Sequence, residues 1–263
     1  MAKPVQGSNE RIQAQFSKQA QKYEGSPVHA RGEDLQWIVE IAALTGSERV
    51  LDVATGTGHT AMALAPAARS VVGVDLTARM VESATALAEE RGLLNVQFVV
   101  SDVVHMPFPS DYFDLIACRL AAHHFVDPAA AMAEVSRVLK PGGRFILVDH
   151  VAPEAPELDA FINRIDWLRD GSHVREWTVT EWIHMMQRSG MEGKTVKTWP
   201  LPLDFAWWIQ QASPAPENVE EIVRAMQTAD DETRAAFHVH FDDAGYPRDF
   251  ALQCVMIEAK KQS

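Results

Sequence analysis

Cysteine is nearly absent from this 263-residue chain: Cys118 and Cys254 are its only two, each in an apolar, strand-like context. Two such cysteines make no disulfide framework, which points to a reducing cytoplasm. Basic residues are scarce as well, 24 lysines and arginines against 36 acids for a formal charge of −12. The broad basic face that engages phosphate backbones is therefore lacking, and no nucleic-acid partner is expected. Uninterrupted apolar runs of membrane length are missing, and the opening Met1-Ala2-Lys3-Pro4 carries no signal-peptide core. A soluble cytoplasmic protein with no membrane span is the expectation. Tyr23, Tyr112 and Tyr246 are the only tyrosines, and none opens the Tyr-x-x-x-Lys pattern that would support a nicotinamide-dependent oxidoreductase.

What is present is a short apolar strand, Val50-Leu51-Asp52-Val53, that breaks at Gly56 and Gly58 and enters an alanine-rich helix. Glycines there allow a tight turn and a close approach of the main chain to a nucleotide-type ligand at a strand end. Asp52 stands where a doubly covered strand would take another Val or Ile, so its carboxylate needs a donor: a ligand ammonium or the amides of the turn. A second apolar strand, Val71 to Val74, ends in Asp75, nineteen residues after Gly56 and placed for ribose hydroxyls. An acid that would repel pyrophosphate and an acid suited to ribose together favour a nucleoside carrying an amino-acid arm over a dinucleotide.

Apolar strands at 49–54, 70–75, 96–101, 114–118 and 144–149 alternate with helical patterns at 59–65, 78–91 and 128–138, with further helices at 9–23 and 32–44. That alternation predicts an α/β fold with a doubly wound, mostly parallel sheet whose ligand edge lies at the carboxyl ends of the strands. Asp102 follows the third such strand and is placed to bind at that edge.

The run Asp52-Val53-Ala54-Thr55-Gly56-Thr57-Gly58-His59, followed by Gly73-Val74-Asp75-Leu76-Thr77-Ala78-Arg79-Met80 and later by Leu139-Lys140-Pro141-Gly142-Gly143, resembles the class I S-adenosylmethionine-dependent methyltransferases. Its nearest flavour is the branch of the ubiquinone and menaquinone methyltransferases. The resemblance implies a Rossmann-like sheet of seven strands with the last strand antiparallel beside strand five. It also implies S-adenosyl-L-methionine as cofactor and S-adenosyl-L-homocysteine as product. In that reading Asp52, Ala54, Thr55, Gly56 and Gly58 hold the methionine end, Asp75 the ribose, and Asp102 the adenine amino group, with Leu76 and Val103 packing the adenine faces. Arg119 and Tyr23 join the cofactor set, and residues 1–31 form a lid helix over it. The whole of 1–263 reads as one methyltransferase domain with a substrate-side insertion at 151–178 and a helical insert at 203–240.

For proton chemistry the clearest residues are His123 and His124, after strand four, because imidazole titrates near neutrality. Adjacent histidines seldom chelate together and no His-Glu-x-x-His or Cys-x-x-Cys pattern accompanies them, so no metal is expected. His173 and Arg175, in a polar turn-rich segment, are candidates for a substrate wall. Trp167, Trp177, Trp182, Trp199, Trp207 and Trp208 crowd the last part of the chain and suit an apolar or aromatic small-molecule acceptor, though core packing or a homodimer surface is the expectation for most of them. The insert departs from the quinone enzymes and puts quinone substrates in doubt. O- or C-methylation of a small acceptor is the leading expectation, ahead of a catalytically silent binder of the cofactor, an oxidoreductase and a macromolecule methyltransferase.

Overall fold

A computed structural model describes residues 9–24 and 32–263, with side chains of the first helix described through Ser17. The first helix, α1, is Asn9–Glu24, and α2, Glu33–Ala42, leads into the central strand β1, Arg49–Val53. Then follow α3 (His59–Leu64), β2 (Ser70–Asp75), α4 (Ala78–Glu90), β3 (Val96–Val100), β4 (Phe113–Arg119), α5 (Pro128–Val138) and β5 (Leu139–His150). The last part holds α6 (Pro156–Arg169), α7 (Val179–Arg188), β6 (Met191–Asp204), α8 (Phe205–Ala212), α9 (Pro216–Thr228), α10 (Asp231–Ala236), β7 (His240–Phe241) and β8 (Pro247–Lys261).

Strands run in the order β3-β2-β1-β4-β5-β8-β6, parallel from β3 through β5, with β8 antiparallel between β5 and β6. The expected seven-stranded sheet is thus present, and the two-residue β7 on β8 adds an eighth strand. Side chains alternate across the sheet. Leu51, Ile116 and Leu147 pack on one face with α5 and α7, while Val50, Leu115, Ile146 and Met256 pack on the other with α2 and α3. A third core, built on Ile162, Trp208, Ile222 and Phe250, joins α6, α8 and α9 to the far ends of β6 and β8.

Three elements run longer than their sequence signals. β5 starts at Leu139 rather than after the Pro-Gly-Gly turn, because Leu139 pairs with Phe113 before a register shift resumes the ladder at Leu115 and Arg144. β6 continues through Pro200 and Pro202 to Asp204, which its place at the sheet edge allows. β8 extends from Pro247 to Lys261.

The turn after β1 is held from beneath and from the side. Asp52, 1 % exposed, accepts hydrogen bonds from the Thr55 hydroxyl at 2.5 Å and the Ala61 amide at 3.0 Å, so one carboxylate ties the strand to both the turn and α3. Ala54, Gly56 and Gly58 all have positive φ, 53°, 54° and 84°. At Gly58 a Cβ would lie 2.7 Å from the Phe98 ring, so glycine is needed there for packing as well as for φ. Gly58→Ala should cost about 2 kcal/mol or more, combining left-handed backbone strain with overpacking. Denaturant melts of Gly58→Ala and of Gly58→Ala with Phe98→Leu check this. The double variant should recover part of the loss and leave the backbone cost in place.

Burial, opposed by the Thr55 and Ala61 hydrogen bonds, pushes the Asp52 carboxyl up to about 7. A group that holds its proton more tightly when folded than when unfolded costs stability as pH rises from its unfolded pKa, about 4, through its folded value. Asp52→Asn, which does not ionise, should therefore gain on the wild type as pH rises from 5 to 8. Chemical denaturation at the two pH values measures the gap. A gap of equal size at both would mean that Asp52 ionises in the folded protein as easily as in the unfolded chain.

Candidate functional site

The carboxyl ends of β1, β2, β3 and β4 open into one cavity of about 260 Å³, roofed by α1. From β1 comes the glycine turn, with Ala54, Thr55 and Gly56 on the wall. Asp52 does not line the cavity. The donors it finds are the Thr55 hydroxyl and the Ala61 amide, which places it in support of the turn. Asp75, at the end of β2, is half-buried in the wall. Its carboxylate accepts the Gly56 amide at 2.9 Å and the Thr77 amide at 2.8 Å, so the ends of β1 and β2 are locked together. Burial raises its pKa, against the pull of those amides.

Beyond β3, Asp102 and Val103 line the wall opposite Leu76. Asp102 takes the Val104 amide at 3.1 Å and, from α1, the Asn9 side-chain amide at 2.7 Å. Gln13 of α1 donates to the Leu76 carbonyl at 3.0 Å, and Phe16 meets the His124 ring edge-on at 4.9 Å. Asn9, Gln13 and Phe16 therefore touch both ends of the cavity. Of these, Phe16 stood out by its place on a helical face; Asn9 and Gln13 are ordinary polar residues whose role appears only when the helix is docked. Tyr23, expected in the cofactor set, lies outside the described side chains.

Arg119 ends β4 and also lines the cavity. Its guanidinium is gripped by Asp34 of α2 in a bidentate pair, at 2.5 and 2.9 Å. Such forked geometry fixes the plane of the group. After it the chain turns through Leu120 at φ 51° into a 3-10 turn, Ala122–His124.

The two histidines part there. His124 lines the cavity, its Nδ1 3.1 Å from the Ser172 carbonyl, and burial holds its imidazole below the usual value, so that it is neutral near pH 7. His123 turns inward to Asp149, the penultimate residue of β5, with 2.8 Å from its Nδ1 and 3.0 Å from its backbone amide to the carboxylate. Behind them lie His150 and His173: the His123 ring is 4.0 Å from His150 and 5.9 Å from His173. His173 is buried beside His124 and 3.2 Å from Asn163 Oδ1, with its pKa driven well down by burial and then by its histidine neighbours. It does not line the cavity, nor does Arg175, which pairs with Asp159 at 2.8 Å and stacks over Trp177. No tryptophan lines the cavity either. Trp182 and Trp208 are buried in separate cores, and Trp199 packs on Trp37.

Sequence reasoning passed over His150, Asp149, Asp166 and Glu176. The first two carried a signal, since a polar pair ends the apolar strand at 144–148. Asp166 and Glu176 carried none.

Chemically the cavity offers carboxylates for hydroxyl and amino donors at the β2 and β3 ends, a fixed cation at the β4 end, backbone amides at the glycine turn, and a neutral imidazole. Comparison with known proteins agrees. Residues 51–147 match the family model described as a methyltransferase domain. The chain is 41 % identical over 247 residues to the uncharacterized methyltransferase YcgJ of Bacillus subtilis, covering 94 % of this chain and 98 % of that one. The crystal structure of YcgJ superposes with a TM-score of 0.86 over 88 % of this chain and 99 % of that chain, at 40 % identity. A putative methyltransferase from Bacillus halodurans C-125 gives 0.85 at 36 % identity, over 88 % of this chain and all of that one. A demethylmenaquinone methyltransferase of Thermus thermophilus is 39 % identical over 128 residues, 46 % of this chain and 57 % of its own length. The chain belongs to the class I S-adenosylmethionine-dependent methyltransferases.

Proposed function

We propose that this methyltransferase transfers its methyl group to a small apolar or aromatic acceptor, at oxygen or carbon, with His124 as the group that orients or takes the acceptor's proton. The observation that carries the reading is one cavity lined at once by Asp75, Asp102, the glycine turn, Arg119 and His124. Bound S-adenosylmethionine supplies an electrophilic methyl on a sulfonium. The donor set fits that cofactor. Asp75 accepts from ribose hydroxyls, and Asp102, which already accepts an amide NH2 from Asn9, suits the equivalent adenine amino group. Leu76 and Val103 give the adenine apolar faces, Arg119 meets the methionine carboxylate, and Gly56 leaves room for the ligand, since a Cβ there meets nothing within 4 Å.

His124 needs no activation to serve as base, because burial keeps it neutral. His123, held by Asp149, fixes the turn that presents it. His173 acts from behind, as a wall for the His124 ring rather than as a substrate contact, and Arg175 braces the segment that carries His173. The apolar character of the acceptor rests on Ile12, Phe16 and Phe125 in the cavity lining rather than on the tryptophans. The α1 helix acts as the lid: Asn9, Ile12 and Phe16 close the cavity from above, which excludes water from the transferring methyl.

Incubation with S-adenosylmethionine labelled on its methyl, together with small-molecule and macromolecular fractions of the host, tests the acceptor class. Label should enter the organic extract. Label confined to protein or nucleic acid overturns the small-molecule reading, and no label despite measured cofactor binding turns the chain into a silent binder. In calorimetric titrations Asp75→Ala and Asp102→Ala should each weaken cofactor binding about tenfold or more, the range for a lost hydrogen bond to a charged group. Once an acceptor is in hand, His124→Ala should lower kcat by about 10²–10⁴ while leaving cofactor affinity within about twofold. Phe16→Ala should mainly speed cofactor release, read by stopped-flow displacement. An unchanged release rate removes the lid.

A further inference from the structure

Behind the cavity, three side chains from separate parts of the chain converge: His150 at the end of β5, Asp166 on α6, and Glu176 in the segment before α7. One ligand atom from each lies within 4.8 Å of the others. Both acids are buried, Asp166 at 3 % and Glu176 at 0 % exposure. Among the described residues no N–H or O–H group outside this pair reaches either oxygen of Asp166 or Oε2 of Glu176. Asp166 and Glu176 face each other as a hydrogen-bonded pair of acids, and burial raises the pKa of both. Glu176 Oε1 is 2.6 Å from His150 Nδ1, the one N–H donor in the group. Two buried acids packed together, with only each other and one imidazole as partners for these oxygens, form a pocket in which a cation can replace the proton they share.

The neighbouring trio shows the contrast. His123, Asp149 and His150 also approach one another, but Asp149 is already satisfied by the His123 amide, the His123 ring and the His150 amide at 3.0, 2.8 and 2.9 Å. Unmet acceptor capacity is concentrated on Asp166 and Glu176. One imidazole and two carboxylates are a nitrogen and oxygen donor set of the kind that takes zinc, manganese or ferrous iron, with further positions left for water or a ligand.

We propose that His150, Asp166 and Glu176 bind one divalent first-row metal ion per chain, beside the methyl-transfer cavity. The ion pins the end of β5 to α6 and to the segment that carries Ser172 and His173, the wall against which His124 rests. It takes the place of the proton the two acids share and adds to the positive field of His150 and Arg169 at Asp166. Methyl transfer does not enter this argument, so the site stands or falls independently of the acceptor.

The test uses full-length, tag-free protein stripped with dipicolinate and titrated with Co²⁺, followed by its visible absorption, and with Zn²⁺, followed by calorimetry. One equivalent should bind, and Zn²⁺ should raise Tm. Asp166→Asn with Glu176→Gln keeps size and lets the two amides hydrogen-bond each other, so the fold should survive. That variant should bind both ions more than about 100-fold more weakly and lose the Tm response. His124→Ala should bind as the wild type does. Stripped wild type that takes up neither ion, or a double variant that binds both as well as the wild type, overturns the site. If the double variant is not folded by circular dichroism, Glu176→Gln alone carries the comparison: a Zn²⁺-induced Tm rise equal to that of the wild type overturns the proposal, and its loss supports it.

Discussion

Everything at the cofactor edge depends on one buried carboxylate. Asp52 sits in a buried interior strand of the sheet, where an ion is costly, and spends its two acceptor bonds on the Thr55 hydroxyl and the Ala61 amide. Those bonds fix a turn in which Ala54, Gly56 and Gly58 all adopt positive φ. From that turn the Gly56 amide is presented to Asp75, so the second acid takes its orientation from the first. The Phe98 ring closes the arrangement from β3, lying so near Gly58 and Gly73 that neither has space for a Cβ. Three strand ends thus become one edge fixed by hydrogen bonds and packing before any ligand arrives, which lowers the ordering cost of binding there.

Much of this edge was legible in the sequence because the constraints are local. Glycines at fixed offsets are demanded by backbone geometry within a few residues, and the two acids end neighbouring strands of one sheet, the second accepting from the turn after the first. Periodicity gave the parallel sheet, and the resemblance gave the antiparallel last strand. Boundaries failed where pairing overrode local signals. Leu139 joins β5 because Phe113 is across from it, and β6 runs through two prolines because it lies at the edge of the sheet among the described strands. Most of the tryptophans serve the core rather than the cavity, as expected. Crowding along the chain is not crowding in space: Trp182 packs under one face of the sheet, Trp208 under the helical addition, and Trp199 against Trp37.

The histidine cluster marks where local reading ends. His123 and His124 were visible as a pair, yet being adjacent sends them to different partners, one to Asp149 inside and one to the cavity. His173 and Arg175, close in sequence, also separate: one is buried beside His124 and the other is drawn off by Asp159. Asp166 and Glu176 had no signal at all, because a lone acid on an amphipathic helix and another in a polar loop are the commonest sites of solvated charge. Only the docking of α6 and the following segment against the end of β5 takes both out of water together.

That docking joins the two halves of the site. The segment from His150 to Trp177 begins at the strand that holds Asp149 and returns to place Ser172 against His124. An ion drawing His150, Asp166 and Glu176 together would tighten the same segment, and with it the position of the His124 ring opposite Phe16 of α1. The geometry around Asp52 and Asp75 is short-range, whereas that behind His124 is a long-range convergence of β5, α6 and the segment before α7. The two halves meet at the turn after β4. In this chain that turn is fixed from both sides: Arg119 by Asp34 on α2, and His123 by Asp149 on β5.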